Sequence, residues 1–326
     1  MKSPDRLQRL ASLAVVAAVL AAVLVQQPGE GAAVSFCVAC GERGVADALR
    51  NLLLFVPVGM AAAGWFRASA ATVAACAAMS LGVEVAQLWI PGRDPALSDL
   101  LFNTLGAAAG VALARSRAAW LRLQRRAAGR LSLAWAALVW IAVAATGVLL
   151  APPAGSQRRV TGTREGDDVV LHVYTRAARV RLDQPVVRWR DAYAGTAADA
   201  ADPPVAVRDR GTWCARAGSR QRCGLGATAG GGWSVLAYPD ALAARFGALA
   251  DAAWVALLFL PLGFWFRRGR ISAVAAASAL GALAVIPVAG MLAGTPALEW
   301  AGAGVGMMAG AALARLARPA AGGDAQ

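Results

Sequence analysis

Three pairs of polar residues stand in apolar surroundings in the first third of the chain, and their spacing lets each pair act together. Asp47 and Asn51 are four apart, Glu84 and Gln87 three apart, and Asp99 and Asn103 four apart. On helices each pair shares a face, and Ser80 joins the face of Glu84. In a dry setting Glu84 and Asp99 are material for acid–base chemistry, one of them held protonated by desolvation. Arg93 lies between them in sequence and carries the planar fork that grips a phosphate or carboxylate. Asp47, Asn51, Glu84, Gln87, Arg93, Asp99 and Asn103 are thus the candidate pocket, with Glu84 and Asp99 the catalytic candidates. The bland alternative is an interhelical network that fixes packing, built from membrane hydrogen bonds of about 0.6 kcal/mol each. No nucleophile motif accompanies the carboxylates.

Other chemistry is sparse. A single histidine, His172, excludes most zinc-hydrolase and Ser-His-Asp schemes, and its alternating surroundings give it an ordinary strand position. Cys37 and Cys40 have the spacing of a redox pair, but no thioredoxin-like βαβ pattern surrounds them, so a small structural disulfide is the simpler expectation. Cys214 and Cys223 flank an Arg/Gly-rich turn and are expected to form a second bridge, while Cys76 reads as a small buried residue. A zinc site joining both cysteine pairs is opposed by the spacing of the second pair. No metal or cofactor is expected. The run GLGATAGGG at 224–232 lacks the Gly-Lys-Ser/Thr ending of a phosphate loop and reads as a turn.

The elements that must position these residues are membrane helices. The chain is 58% hydrophobic over 326 residues. A span needs about 20 apolar residues, and eight stretches approach that, near 10–25, 46–66, 68–90, 97–114, 131–150, 246–266, 271–292 and 297–313. The first has the length of a signal-peptide core, but no convincing cleavage site follows Val25, so an uncleaved anchor is expected. The net charge of +13 is almost wholly arginine, since Lys2 is the only lysine. These arginines cluster between spans, without a nucleic-acid motif, and so report topology. Arg6, Arg9, Arg67, six Arg between 115 and 130, Arg267, Arg268, Arg270, Arg315 and Arg318 fall on one side, against Arg43 and Arg93 in the short loops opposite. The positive-inside rule then makes both termini cytoplasmic.

Residues 152–245 form a polar insert that this topology places outside. DVVLHVYT and PVVRWR alternate or are β-branched, with Gly, Pro and Asp between, so the insert reads as β-rich. Its surplus of Arg over acids suits anionic envelope polymers or lipid headgroups, or simply a solvated face.

The chain also repeats itself. DALRNLLLFVPVG at 47–59 aligns with DAAWVALLFLPLG at 251–263, an offset of 204, and SDLLFNTLGAAAGVALAR at 98–115 with LEWAGAGVGMMAGAALAR at 298–315, an offset of 200. Two four-helix halves of the same orientation are expected. Asp47 and Asp99 keep acidic counterparts in Asp251 and Glu299, but Asn51 becomes Val255 and Asn103 becomes Ala303. Gly106 and Gly110, echoed by Gly306 and Gly310, make the small-xxx-small step of close helix packing. Pro57 is expected to open its helix locally.

The pattern Asp47-x3-Asn51-x3-Phe55-x-Pro57-x-Gly59, then Glu84-x2-Gln87, Pro91-x-Arg93, and Asp99-x3-Asn103-x2-Gly106-x3-Gly110 resembles the VanZ-like family. The resemblance covers 10–115, and 246–315 in degenerate form, but not the insert. It implies an integral membrane protein of the bacterial envelope, in a family named for resistance to glycopeptides such as teicoplanin. The expected architecture is an all-α polytopic membrane protein of about eight helices in a 4+4 parallel repeat, with a small extracytoplasmic β-rich insert. Its parts are a four-helix half at 1–130, a fifth helix at 131–151, the insert at 152–245, the remaining helices of the second half at 246–318, and a disordered tail at 319–326. The expected function is VanZ-like work at the outer face of the cytoplasmic membrane, with a membrane lipid or a lipid-linked or anionic envelope component as partner. The alternatives are an enzyme on a lipid or polyprenyl-phosphate substrate, and a thiol-disulfide protein using Cys37 and Cys40.

Overall fold

The computed structural model describes residues 6–24, 44–91, 93, 95–121, 123–153, 155, 157–173, 175–176, 186–195, 203–236, 244–266 and 269–317. Cys37, Cys40 and the 319–326 tail lie outside these residues. The chain divides into two compact units, Met1–Arg122 and Leu123–Gln326. The break falls a few residues before the 130/131 boundary read from the sequence, because the helix expected from 131 already begins at Arg125.

In the first unit, helix α1 (Arg6–Leu24) precedes α2 (Gly44–Ala62), α3 (Ser69–Gln87), α4 (Leu97–Arg115) and the short α5 (Arg117–Leu121). Helices α2 and α4 pack backbone to backbone because glycines face carbonyls. A Cβ on Gly106 would strike the Leu52 carbonyl, one on Gly110 the Val56 carbonyl, and one on Gly59 the Ala107 carbonyl. Without a hydrophobic drive between helices in lipid, such close approach is a main source of cohesion. Phe55, Val58, Cys76 and Ala107 fill the core between the helices. At the C-terminal end of α4, Arg115 donates to the Phe66 carbonyl at 2.6 Å and pins the α2–α3 connection.

Among its described residues the second unit contains α6 (Arg125–Leu150), seven strands, and α7 (Ala244–Trp265), α8 (Arg270–Val288) and α9 (Ala297–Leu316). Gly302, Gly306 and Gly310 of α9 face the carbonyls of Ala252, Ala256 and Leu260 on α7, and Gly263 of α7 faces that of Met307. Trp135 of α6 donates to the Leu258 carbonyl at 2.7 Å, and Trp140 to that of Ser278 at 2.9 Å. The bundle core is apolar, with Val139, Val143, Val255, Phe259, Ala279 and Ala303 fully buried.

The β-rich reading of the insert holds, with all pairings antiparallel. One sheet has the order β1 (Arg159–Thr161), β5 (Val205–Asp209), β6 (Thr212–Ala217), β7 (Arg220–Leu225); the other has β2 (Thr163–Glu165), β3 (Asp168–His172), β4 (Val186–Trp189). Val169, Leu171, Trp189, Tyr193, Trp213 and Ala215 make a separate core. Cys214 and Cys223 are disulfide-bonded across β6 and β7, beside a register shift between Trp213 and Ala215. Cys76 is free and buried, and His172 is exposed at the end of β3.

Among the described residues, seven helices, α2–α4 and α6–α9, are long and apolar enough to cross a membrane. Large apolar side chains such as Leu257, Val274 and Met308 are more than half exposed on them, as lipid-facing positions must be. The protein is a multi-pass membrane protein. Of the eight expected spans, the first differs: the apolar part of α1 runs only over Leu10–Ala21.

Candidate functional site

The N-terminal end of α2, the C-terminal end of α3 and the N-terminal end of α4 carry the candidate residues, and the first unit brings these ends together in two polar layers. In the outer layer, Glu84 Oε2 accepts the backbone N–H of Ala96 at 3.0 Å. Ala96 is the N-cap residue of α4 and supplies no side-chain cap. Glu84 thus sits where unpaired amides and the helix dipole favour a carboxylate. Asp99, in the first turn of the same helix, accepts the Ser98 hydroxyl at 3.3 Å and meets the Asn51 side chain of α2. Asp47 pairs with Arg50 at 2.8 Å, and both lie within electrostatic reach of Asp99. Arg93, half-buried in the α3–α4 connection, is an electrostatic neighbour of Glu84.

One helical turn further in, Asn103 Nδ2 donates to the Ser80 hydroxyl at 2.9 Å. Asn103 is 4% exposed, and its amide oxygen is buried without a hydrogen-bond partner. An amide oxygen stranded in this way costs about 1–3 kcal/mol. Among the described residues, this is the one feature of the cluster that its own members do not satisfy.

Gln87 departs from the expected arrangement. Its amide donates to the Val23 carbonyl at 3.1 Å, so it ties α1 to α3 instead of facing α2 and α4. Arg50 joins the cluster although the sequence pattern did not single it out; its i,i+3 spacing from Asp47 was the available signal. The Ala96 amide gave no signal, because a backbone donor has no sequence signature.

The second unit presents the offset acids in a different setting. Glu299, in the first turn of α9 and 2% exposed, accepts the backbone N–H of Gly230 at 2.9 Å and a hydrogen bond from the Thr228 side chain. Asp251 of α7 accepts the indole N–H of Trp233. All three donors come from the segment after β7, which contains a 3-10 turn over Gly230–Val235. The 224–232 run is therefore more than a surface turn: it closes over the ends of α7 and α9. The N-cap of α9 is Pro296, which has no N–H, where α4 has Ala96. Donor and acceptor of the Glu84–Ala96 bond are thus absent together from the second unit, since no acid stands near 284–291.

In the insert, Arg188 of β4 binds Glu165 at 2.9 Å and Asp168 at 3.2 Å. Burial works against its charge, but the hydrogen bonds to Asp168 and Glu165 outweigh this and hold the guanidinium above its ordinary pKa.

The family described as VanZ/LLP1 matches residues 8–121. No curated protein and no solved structure matches the chain. The matched segment takes in most of α1, all of α2–α5 and all seven candidate pocket residues, and excludes the insert and the second helical unit. Over residues 8–121, this multi-pass membrane protein is similar to the VanZ/LLP1 family.

Proposed function

We propose that the first unit is a ligand-binding module of the bacterial cytoplasmic membrane, with its polar cluster opening at the extracytoplasmic face. The arginine-rich connections support this orientation, which keeps both termini inside and the β insert outside. The stranded Asn103 oxygen carries the binding reading, since a network that served packing alone leaves no reason to bury an acceptor without a donor. The second unit supports it from the other side. On the duplicated reading its scaffold glycines keep the same register, yet Ala303 stands where the first unit has Asn103. Close packing does not require the amide.

The test is the set of small molecules and lipids that co-purify with the native chain and with Asp99→Asn and Asn103→Ala. A species lost from both variants at unchanged protein yield is the expected result. An identical set in all three preparations sinks the binding reading. The family's association with glycopeptides makes teicoplanin susceptibility the physiological readout, expected to rise in cells carrying Asp99→Asn at normal protein level.

The proximity of Glu84, Arg93 and Asp99 at one helix start favours a second reading, an enzyme acting on a lipid or polyprenyl-phosphate substrate. Phosphate release from a polyprenyl pyrophosphate by the purified chain, abolished in Glu84→Gln, would decide for it. The thiol-disulfide alternative rests on Cys37 and Cys40 and is tested by the thiol state of envelope proteins when both are serine.

A further inference from the structure

The second unit shows what kind of group such an acid cluster accepts. Glu299 and Asp251, offset from Asp99 and Asp47 by 200 and 204 residues, are met by three hydrogen-bond donors: an amide N–H from Gly230, a hydroxyl from Thr228 and an indole N–H from Trp233. The segment carrying them is seated as a ligand is seated. Ala229 is 1% exposed within the bundle core, and Ala293 N–H holds the Ala227 carbonyl at 2.9 Å. A Cβ on Gly230 would strike the Asp251 backbone, and one on Gly232 the Thr146 hydroxyl, so only a glycine-rich strap comes this close.

The first unit has the same acids and an additional acceptor in want of a donor, the buried Asn103 oxygen. Among the described residues, its carboxylates are Asp47, Glu84 and Asp99 and its guanidiniums Arg50 and Arg93. A primary ammonium brings one positive charge and three donors on a single atom. We infer that the first-unit cluster binds a primary ammonium group, as carried by an ethanolamine lipid headgroup or a free amine. This rests on the binding reading above and on the duplication. It reverses the sequence-based emphasis on Arg93 and an anion.

The experiment reconstitutes the full-length chain into vesicles of equal phosphatidylethanolamine, phosphatidylcholine and phosphatidylglycerol, re-extracts it in detergent, and counts retained lipid by mass spectrometry. Phosphatidylcholine is the informative control, because its methyl groups replace the N–H donors. Retention of phosphatidylethanolamine over phosphatidylcholine by about five-fold, roughly what one net hydrogen bond supplies, is expected. Asp99→Asn and Asn103→Ala should each reduce that preference, whereas Trp233→Phe in the second unit should leave it intact. If the source is a free amine, ethanolamine raises the melting temperature of the native chain but not of Asp99→Asn, with no lipid preference. Selective retention of phosphatidylglycerol, lost in Arg93→Ala, keeps a binding site and overturns the ammonium assignment. Equal retention of all three lipids by native and variant chains, with no ethanolamine effect, overturns both the assignment and the binding reading beneath it.

Discussion

The Ala96 amide donates to Glu84 across the turn between α3 and α4, so a side chain twelve residues upstream closes the start of the next helix. Ala96 has no side-chain oxygen to cap α4. Glu84→Ala therefore leaves a part-buried amide without its acceptor and should cost about 1 kcal/mol. Glu84→Gln keeps an acceptor at the same place and should cost less. Thermal melting of both variants by size-exclusion chromatography checks the order; equal loss in the two would show that charge, not capping, matters.

Gly110 should tolerate no side chain, because Val56 and Met60 backbone atoms occupy the space a Cβ needs. Gly110→Val, and Gly310→Val in the second unit, where Leu260 and Phe264 backbone atoms take the same space, are expected to abolish accumulation. A Cβ on Gly82 would meet nothing within 4 Å, so Gly82→Ala should accumulate normally. Membrane-fraction immunoblots give the comparison directly, and normal levels of Gly110→Val would contradict the packing described.

The Cys214–Cys223 bridge closes a nine-residue separation between adjacent strands. Removing a native disulfide from a small domain typically costs about 2–5 kcal/mol. The doubly substituted Cys214→Ser, Cys223→Ser chain should show early proteolysis confined to the insert, with the first unit still protected. Cleavage spread evenly through both units would be the contrary result.

Arg188 is part-exposed, and its contacts with Glu165 and Asp168 should be worth about 0.5 kcal/mol after solvent screening. The sign follows from its raised pKa. The stabilisation is complete below the ordinary arginine value and is lost only as pH climbs through the higher folded value, so it is constant across about pH 5–9. Melting curves of Arg188→Ala and the native chain should run parallel over that range, and a gap that widened toward its alkaline end would refute this.

Orientation is checked by labelling. Asp209→Cys, exposed at the end of β5, should react with a membrane-impermeant maleimide in intact cells, and Arg117→Cys, exposed at α5, only after permeabilisation. The reverse pattern would invert the topology proposed from the arginines.

Much of this architecture could be read from residue patterns. Apolar length gave the seven long helices to within a few residues, except where α6 starts in the arginine-rich stretch at Arg125, since an interfacial turn carries charge as easily as a loop does. Alternation gave the β character of the insert but not its two sheets, because strand partners are set by long-range pairing. The i,i+4 pairs brought Asn51, Asp99 and Asn103 to one place. The Gln87 contact with Val23 of α1 could not be read from spacing, because one helical face looks toward two neighbours. The role of 226–236 was hidden for another reason. Its donors are chiefly backbone amides and a tryptophan, and glycine-rich stretches read alike whether they turn in water or lie against a helix end.

That strap has a consequence for how the chain is made. Gly230 emerges during synthesis 69 residues before Glu299, the acid it finally binds. The β insert can fold once its own strands are complete, but its edge toward the membrane stays unsealed until α9 arrives. The bond from the Gly230 amide waits for α9, so the strap and that helix close on each other across a long stretch of chain.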